Sequence, residues 1–217
     1  SMVADDLRPS RLEAAERAAA ALVAALPERA QVGVVTFNGT AAVRAPLTRD
    51  RATVGRAMSG LVADGGTAIG DGLHLALDQL ARRPPVEPGK PAPAAVILLS
   101  DGFVTAGRPP LEAAARAREE GVKVFTVGIG QRGAAPEIPG GQAALDESTL
   151  QAIAAATGGD YYYAAEAGEL QRIYAGLGSQ VSWVEEATEV TALAAALGAL
   201  LLLLGGFLSV LWLHRLP

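Results

Sequence analysis

Apolar residues along this chain follow two alternating rhythms. One is a helical recurrence at every third or fourth position; the other is a short unbroken run of β-branched and aliphatic side chains. Residues 10–26 have the first. Leu12, Ala15, Ala19, Leu22 and Leu26 recur at helical intervals, Ser10 and Glu13 have capping-box spacing, and Pro27 ends the pattern. Gln31–Phe37 has the second and predicts a strand buried on both faces. Asn38-Gly39 then turns the chain into an antiparallel return over 41–47. A short helix over 50–61, capped by Thr48 or Asp50, is followed by the tight loop Asp64-Gly-Gly-Thr67 and a helix from 68 to about Arg82. Five prolines between 84 and 93 mark an exposed connection.

The alternation continues with a buried strand over 94–100, a helix over 110–120 with proline in its first turn, and a strand over 123–127. A Gly/Pro-rich loop spans 128–144. A helix over 147–157 closes at Gly158-Gly159, a short strand follows over 160–164, and a last helix runs over 167–177. Strands alternating with helices predict right-handed crossovers and an α/β fold, a doubly wound three-layer arrangement around a mainly parallel sheet. Tyr161, Tyr162 and Tyr163 alternate across their strand and so are expected to pack against helices or a rim.

The rhythm is lost between Val190 and Leu213, where 24 consecutive residues carry no charge. As a helix they extend roughly 36 Å, enough to cross a hydrocarbon layer of about 30 Å, and no polar stripe suits them to a surface helix. Glu185, Glu186 and Glu189 precede the segment and Arg215 follows it, which puts the tail inside and the preceding domain outside the cytoplasm. Trp183 and Trp212 bracket it as interfacial anchors. The expected organisation is a domain over 1–180, a juxtamembrane linker over 181–189, a transmembrane helix over 190–213 and a tail over 214–217.

Composition narrows the chemistry. The 217 residues include no cysteine, so disulfides, thiolate metal sites and thiol catalysis are excluded. Two histidines, His74 and His214, cannot build a multi-histidine metal centre. A net charge of −5 argues against a nucleic-acid partner. Gly128-Ile-Gly-Gln-Arg-Gly133 follows a strand and formally matches a dinucleotide-binding turn. The prolines and glycines at 136–141 leave it no helix to open, so no nucleotide is expected. His74 falls inside a helix with no hydrolase triad around it and reads as a structural or surface histidine.

Ligands of open parallel sheets bind at the carboxyl ends of strands. That rule selects Asp101 after the 94–100 strand, Thr67 in its Gly-Gly-Thr loop, and the extreme N-terminus at Ser1-Met2. Each has a plainer reading: Asp101 as a turn initiator, Thr67 as a helix N-cap, Asp71 as a charge favourable to a helix start, Asp5 and Asp6 as a solvated loop.

The stretches Asp6-Leu-Arg-Pro-Ser-Arg-Leu-Glu-Ala-Ala15, Val32-Gly-Val-Val-Thr-Phe-Asn-Gly39, Pro46-Leu-Thr48, Gly65-Gly-Thr-Ala-Ile-Gly-Asp71, Ile97-Leu-Leu-Ser-Asp-Gly102 and Ala156-Thr-Gly-Gly159 form an ordered set. In that order the chain resembles a von Willebrand factor A domain of the bacterial membrane-anchored kind, and is similar to the aerotolerance (Bat-type) proteins. The resemblance implies a metal-ion-dependent adhesion site holding Mg²⁺, with Mn²⁺ or Ca²⁺ as substitutes. Ser1 would be the last serine of its first motif, Thr67 the second-loop threonine and Asp101 the third-loop aspartate. The Asp and first Ser of the first motif have no counterpart in these 217 residues. The resemblance places the strand bearing that motif between 31–37 and 94–100, so the fold is expected to lack its first central strand, and either an upstream segment completes the sheet or strands 31–37 and 94–100 close the gap.

The resulting expectation is a single-pass protein of the bacterial inner membrane with its domain outside the cytoplasm. It would bind protein partners through a cation and not act as an enzyme. The resemblance implies partners among related von Willebrand A membrane proteins and a MoxR-type AAA+ ATPase. Two alternatives stand beside it: a structural membrane anchor with a non-functional metal site, and a hydrolase using the Ser100-Asp101 region.

Overall fold

The computed structural model describes residues 11–61, 65–83, 85–87, 90–100, 103–129, 145–165 and 167–182. The expected transmembrane helix over 190–213 and the tail lie outside these residues. Among the described residues no helix is long and apolar enough to cross a membrane.

Helix α1 (Arg11–Ala25) ends just before Pro27, and the Leu26 amide still donates to the Leu22 carbonyl at 3.1 Å. Strands β1 (Val32–Phe37) and β2 (Ala41–Thr48) pair antiparallel through the Asn38–Thr40 turn, where the Thr40 amide donates to the Asn38 Oδ1. Their register shifts between Val32 and Val35, opposite the part of β2 that contains Pro46, which has no N–H to give to a ladder. Helix α2 (Arg51–Met58) is capped by Asp50, which accepts from the Ala52 amide, while the Thr48 hydroxyl accepts from the Asp50 amide. Helix α3 spans Ile69–Leu80. The proline-rich connection is not wholly irregular: β3 (Pro85–Glu87) and β4 (Lys90–Pro91) form a small antiparallel hairpin.

Strand β5 (Ala95–Ser100), helix α4 (Pro110–Glu119), strand β6 (Lys123–Ile129), helix α5 (Glu147–Thr157), strand β7 (Tyr161–Ala164) and helix α6 (Ala167–Ser182) complete the described fold. Strands β5, β6 and β7 form a parallel sheet in that order. Strict alternation along them sorts side chains between two helical layers. Val96, Leu98, Val124, Tyr161 and Tyr163 face α3, α4 and α5, where Leu73, Leu77, Ala113, Ala117, Leu150 and Ile153 are buried. Ile97, Leu99, Phe125, Val127 and Tyr162 face α1 and α6, against Ala18, Leu22, Leu170 and Leu177. The result is the predicted three-layer α/β arrangement, with the tyrosines used as packing groups on both faces.

One strand expectation needs correcting. Residues 32–37 were expected to be buried on both faces, yet Gly33 is exposed and the other five positions are half-buried. β1 pairs with β2 only, and among the described residues no ladder joins β1 to β5. Among the described residues the β1–β2 pair and the β5–β6–β7 sheet are thus separate in their hydrogen bonding.

Strand β6 outruns β7 at its start, and a side chain completes its hydrogen bonding. The Val124 amide donates to the buried Thr157 hydroxyl at 3.1 Å, and the next amide on that edge, Thr126, donates to the Asp160 carbonyl. Thr157→Val is expected to leave the Val124 amide buried without an acceptor and to lower unfolding free energy by about 1–3 kcal/mol, measured by urea denaturation. A second expectation concerns Asp146, which caps α5 by accepting from the Thr149 amide and from the Ser148 and Thr149 hydroxyls. Burial alone would raise its pKa, but these bonds outweigh it and hold the carboxyl below the ordinary 3.8. Asp146→Ala should cost about 1 kcal/mol at neutral pH. Because the folded pKa is the lower one, the difference between the two proteins should be complete above the unfolded value and should vanish as pH falls through the folded value. Denaturation of both proteins across an acid pH series checks the sign.

Candidate functional site

The C-terminal ends of β1 and β5 lie at one rim, and three connections meet there: the 38–40 turn, the 65–68 loop and the loop leading from β5 to α4. Gly65 takes a left-handed φ of 79°, which admits the tight approach to α3. The helix N-cap position is Ala68, and no side chain caps it. The N-cap reading of Thr67 therefore fails. Its amide donates to the Thr105 hydroxyl at 2.7 Å, and its carbonyl accepts from the Thr105 amide at 3.2 Å. The Thr67 hydroxyl makes no hydrogen bond to any described residue. One residue on, the Ala68 amide donates to the Asn38 carbonyl at 2.7 Å, so the hairpin turn is tied to the same loop.

After β5, Ser100 is buried in register with Gly128 of β6. Asp101 lies outside the described residues, as does Ser1, so of the three expected metal ligands only Thr67 is placed. The chain is described again from Phe103, and Thr105–Pro109 lies directly against the start of α3. A Cβ added at Gly70 would sit 2.0 Å from the Arg108 carbonyl oxygen, and one at Gly66 would sit 2.6 Å from the Thr105 hydroxyl. Gly107, at φ 79°, faces the Asp71 carboxylate. The Arg108 Nε donates to Asp71 Oδ1 at 2.6 Å and holds that carboxyl below its ordinary pKa.

Asp71 thus sits in the first turn of α3, as its charge suggested, and is engaged by an arginine. An open groove of about 250 Å³ runs beside this pair, lined by Thr40, Ala41, Asp71, Leu75, Asp78 and Arg108. Farther along α3, Arg116 of α4 bonds Asp78 and Glu120, each at 2.7 Å, and lies 3.5 Å from the His74 Nδ1. Burial, then the nearby Arg108 and Arg116 charges, lower the His74 pKa. This histidine belongs to a contact between α3 and α4. Of the Gly128–Gly133 motif, Gly128 and Ile129 lie inside β6 and the rest falls outside the described residues.

The donor chemistry of the placed residue fits a hard divalent cation. Thr67 offers a neutral oxygen that no other described group uses, on a backbone fixed at both its N–H and its C=O. Among the described residues no cluster of three acidic or histidine side chains competes for a metal. Sequence reasoning did not find Thr105 or Arg108. Gly107 was a visible turn signal, but a bond between Thr67 and Thr105 spans 38 positions and leaves no periodic trace.

Comparison with known proteins agrees with this geometry. Residues 1–103 match the model of the von Willebrand factor type A domain. A UPF0353 protein of Nocardia farcinica is 34% identical over 189 residues, covering 78% of this chain and 56% of the relative. A UPF0353 protein of Mycolicibacterium paratuberculosis is 32% identical over an alignment of 227 positions, covering all of this chain and 68% of the relative. The chain thus spans little more than half the length of the first of these relatives. Among solved structures, BatB of Bacteroides thetaiotaomicron superposes with a TM-score of 0.69 at 28% identity, over 84% of this chain and 93% of that one. An aerotolerance-related membrane protein of Bacteroides fragilis gives 0.67 at 26%, over 83% and 94%. Proximal thread matrix protein 1 of the mussel byssus, solved with a zinc-occupied metal-ion-dependent adhesion motif, shares the fold at 23% identity and a TM-score of 0.59, over 79% and 43%. The chain therefore belongs to the bacterial UPF0353 family, and its residues 1–103 carry the von Willebrand factor type A domain match.

Proposed function

We propose that this domain is a membrane-tethered module that binds a protein partner through a divalent cation held at the rim. Thr67 and Asp101, with Ser1, would hold the ion, Mg²⁺ in the first instance. The observation that carries the reading is the state of Thr67: its backbone is locked and its hydroxyl is left over. That hydroxyl is not among the buried polar atoms left without a partner, so it is open to solvent and to a ligand. When bound, the cation would offer an open coordination position to a carboxylate of the partner. The residues around it fix where that position faces. Mussel proximal thread matrix protein 1, with zinc in the corresponding motif, supports the idea that this fold can host such an ion.

The reading is one of binding and not of catalysis. The Ser100 of the hydrolase alternative is buried in β5, and the described histidine is occupied by an arginine contact. Partners among other von Willebrand A membrane proteins and a MoxR-type AAA+ ATPase, and a single span over 190–213 in a bacterial inner membrane with the domain outside the cytoplasm, form part of the same proposal. The likeness to the aerotolerance-related membrane protein of Bacteroides fragilis supports the membrane setting.

Thr67→Val tests the site. The full-length protein should bind Mn²⁺, followed by electron paramagnetic resonance, and the variant should lose affinity by about tenfold or more. The melting temperature without metal should barely move, because the hydroxyl contributes no hydrogen bond within the described fold. Equal Mn²⁺ affinity in the two proteins would count against the site.

A further inference from the structure

Segment 105–108 does more at the rim than connect β5 to α4. It contacts the 65–71 segment at four points. The Thr105 hydroxyl accepts from the Thr67 amide and the Thr105 amide donates to the Thr67 carbonyl. Next, the Arg108 carbonyl oxygen lies over Gly70, where any side chain would collide. The Arg108 guanidinium then bonds Asp71 at 2.6 Å. Gly66 and Gly107 leave room for this approach, since a Cβ at either would lie 2.5–2.6 Å from the Thr105 hydroxyl or the Asp71 carboxylate.

We infer that Thr105, seconded by the Asp71–Arg108 pair, is a positioning residue for the cation site: it sets the place of the Thr67 hydroxyl at the rim. The inference rests on the proposed function above and deepens it. Thr105 is not itself a ligand in this scheme. Its hydroxyl oxygen is turned to the Thr67 amide, and that bond fixes the residue whose own hydroxyl is free. Groups that orient a ligand without touching the ion commonly change metal affinity by about 10–100-fold when removed.

The experiment compares Thr105→Val with Thr105→Ser in the full-length protein. Valine keeps the shape and removes the acceptor; serine keeps the acceptor. Three readouts are used: Mn²⁺ affinity, the exchange rate of the Thr67 amide in metal-free protein, and the metal-free melting temperature. The expected result is a loss of Mn²⁺ affinity of about tenfold or more in Thr105→Val with faster Thr67 amide exchange, and near wild-type values of both in Thr105→Ser. Asp71→Asn is expected to weaken Mn²⁺ binding in the same direction, and it keeps the question open to measurement if Thr105→Val does not fold. Wild-type Mn²⁺ affinity in both Thr105→Val and Asp71→Asn would overturn the positioning role while leaving the cation site standing. Equal losses in Thr105→Val and Thr105→Ser would also overturn it, because the hydroxyl would then not be the active element. A wild-type protein that takes up no Mn²⁺ would overturn the binding proposal, and the clamp's role towards the ion with it.

Discussion

The close approach of the β5–α4 loop to the first turn of α3 is the constraint on which the rim depends. Two backbone segments meet with no side chain between them, because the positions that would obstruct the contact are Gly66, Gly70 and Gly107. Once they meet, the amide and carbonyl of Thr67 are both satisfied by Thr105, and Asp71 finds Arg108. A peptide group with both of its polar atoms bonded has little freedom to rotate. The Thr67 hydroxyl is therefore presented from a fixed base and not from a mobile loop, which is what a cation with near-octahedral demands requires.

The layers beneath the rim explain why it can be rigid. α3 carries Ile69, Leu73 and Leu77 into the core, each almost fully buried, so the helix that begins beside Thr67 is fixed along its length. β5 and β6 run parallel in unbroken register from Ala95 and Lys123 to Ser100 and Gly128. The carboxyl ends of β5 and β6 thus finish at the same level, and the loops that leave them start from a shared edge. On the other side, α1 and α6 cover Phe125, Val127 and Ile129. The β1–β2 hairpin stands apart from this sheet in its hydrogen bonding, yet the Asn38 carbonyl still reaches the Ala68 amide. The rim is continuous across a place where the ladder of strands is not.

The charged groups along α3 and α4 have a different role. Arg116 bonds Asp78 and Glu120 and leans on His74, which couples the two helices through half-exposed ion pairs. Such pairs contribute little each in solvent, about 0–1 kcal/mol, so their importance is geometric. They keep the two helices in register behind the clamp.

Periodicity in the sequence was sufficient for the order of the main helices and strands, the parallel α/β arrangement and the packing of the tyrosines on alternate faces, because a two-residue repeat and a 3.6-residue repeat are local properties of the chain. The rule that ligands of such sheets gather where strands end drew attention to Thr67, and the structure places it beside Thr105. Periodicity overstated the burial of 32–37, because an apolar run records what a strand could cover and not whether neighbours exist on both edges. It could not separate Thr67 as a cap from Thr67 as a free hydroxyl: that depended on α3 beginning one residue later and on Thr105 taking up the backbone groups. Nor could it reveal the Asp71–Arg108 pair, whose partners are 37 positions apart. Contacts of that span exist only after the sheet has brought the two loops together, so tertiary packing decided them.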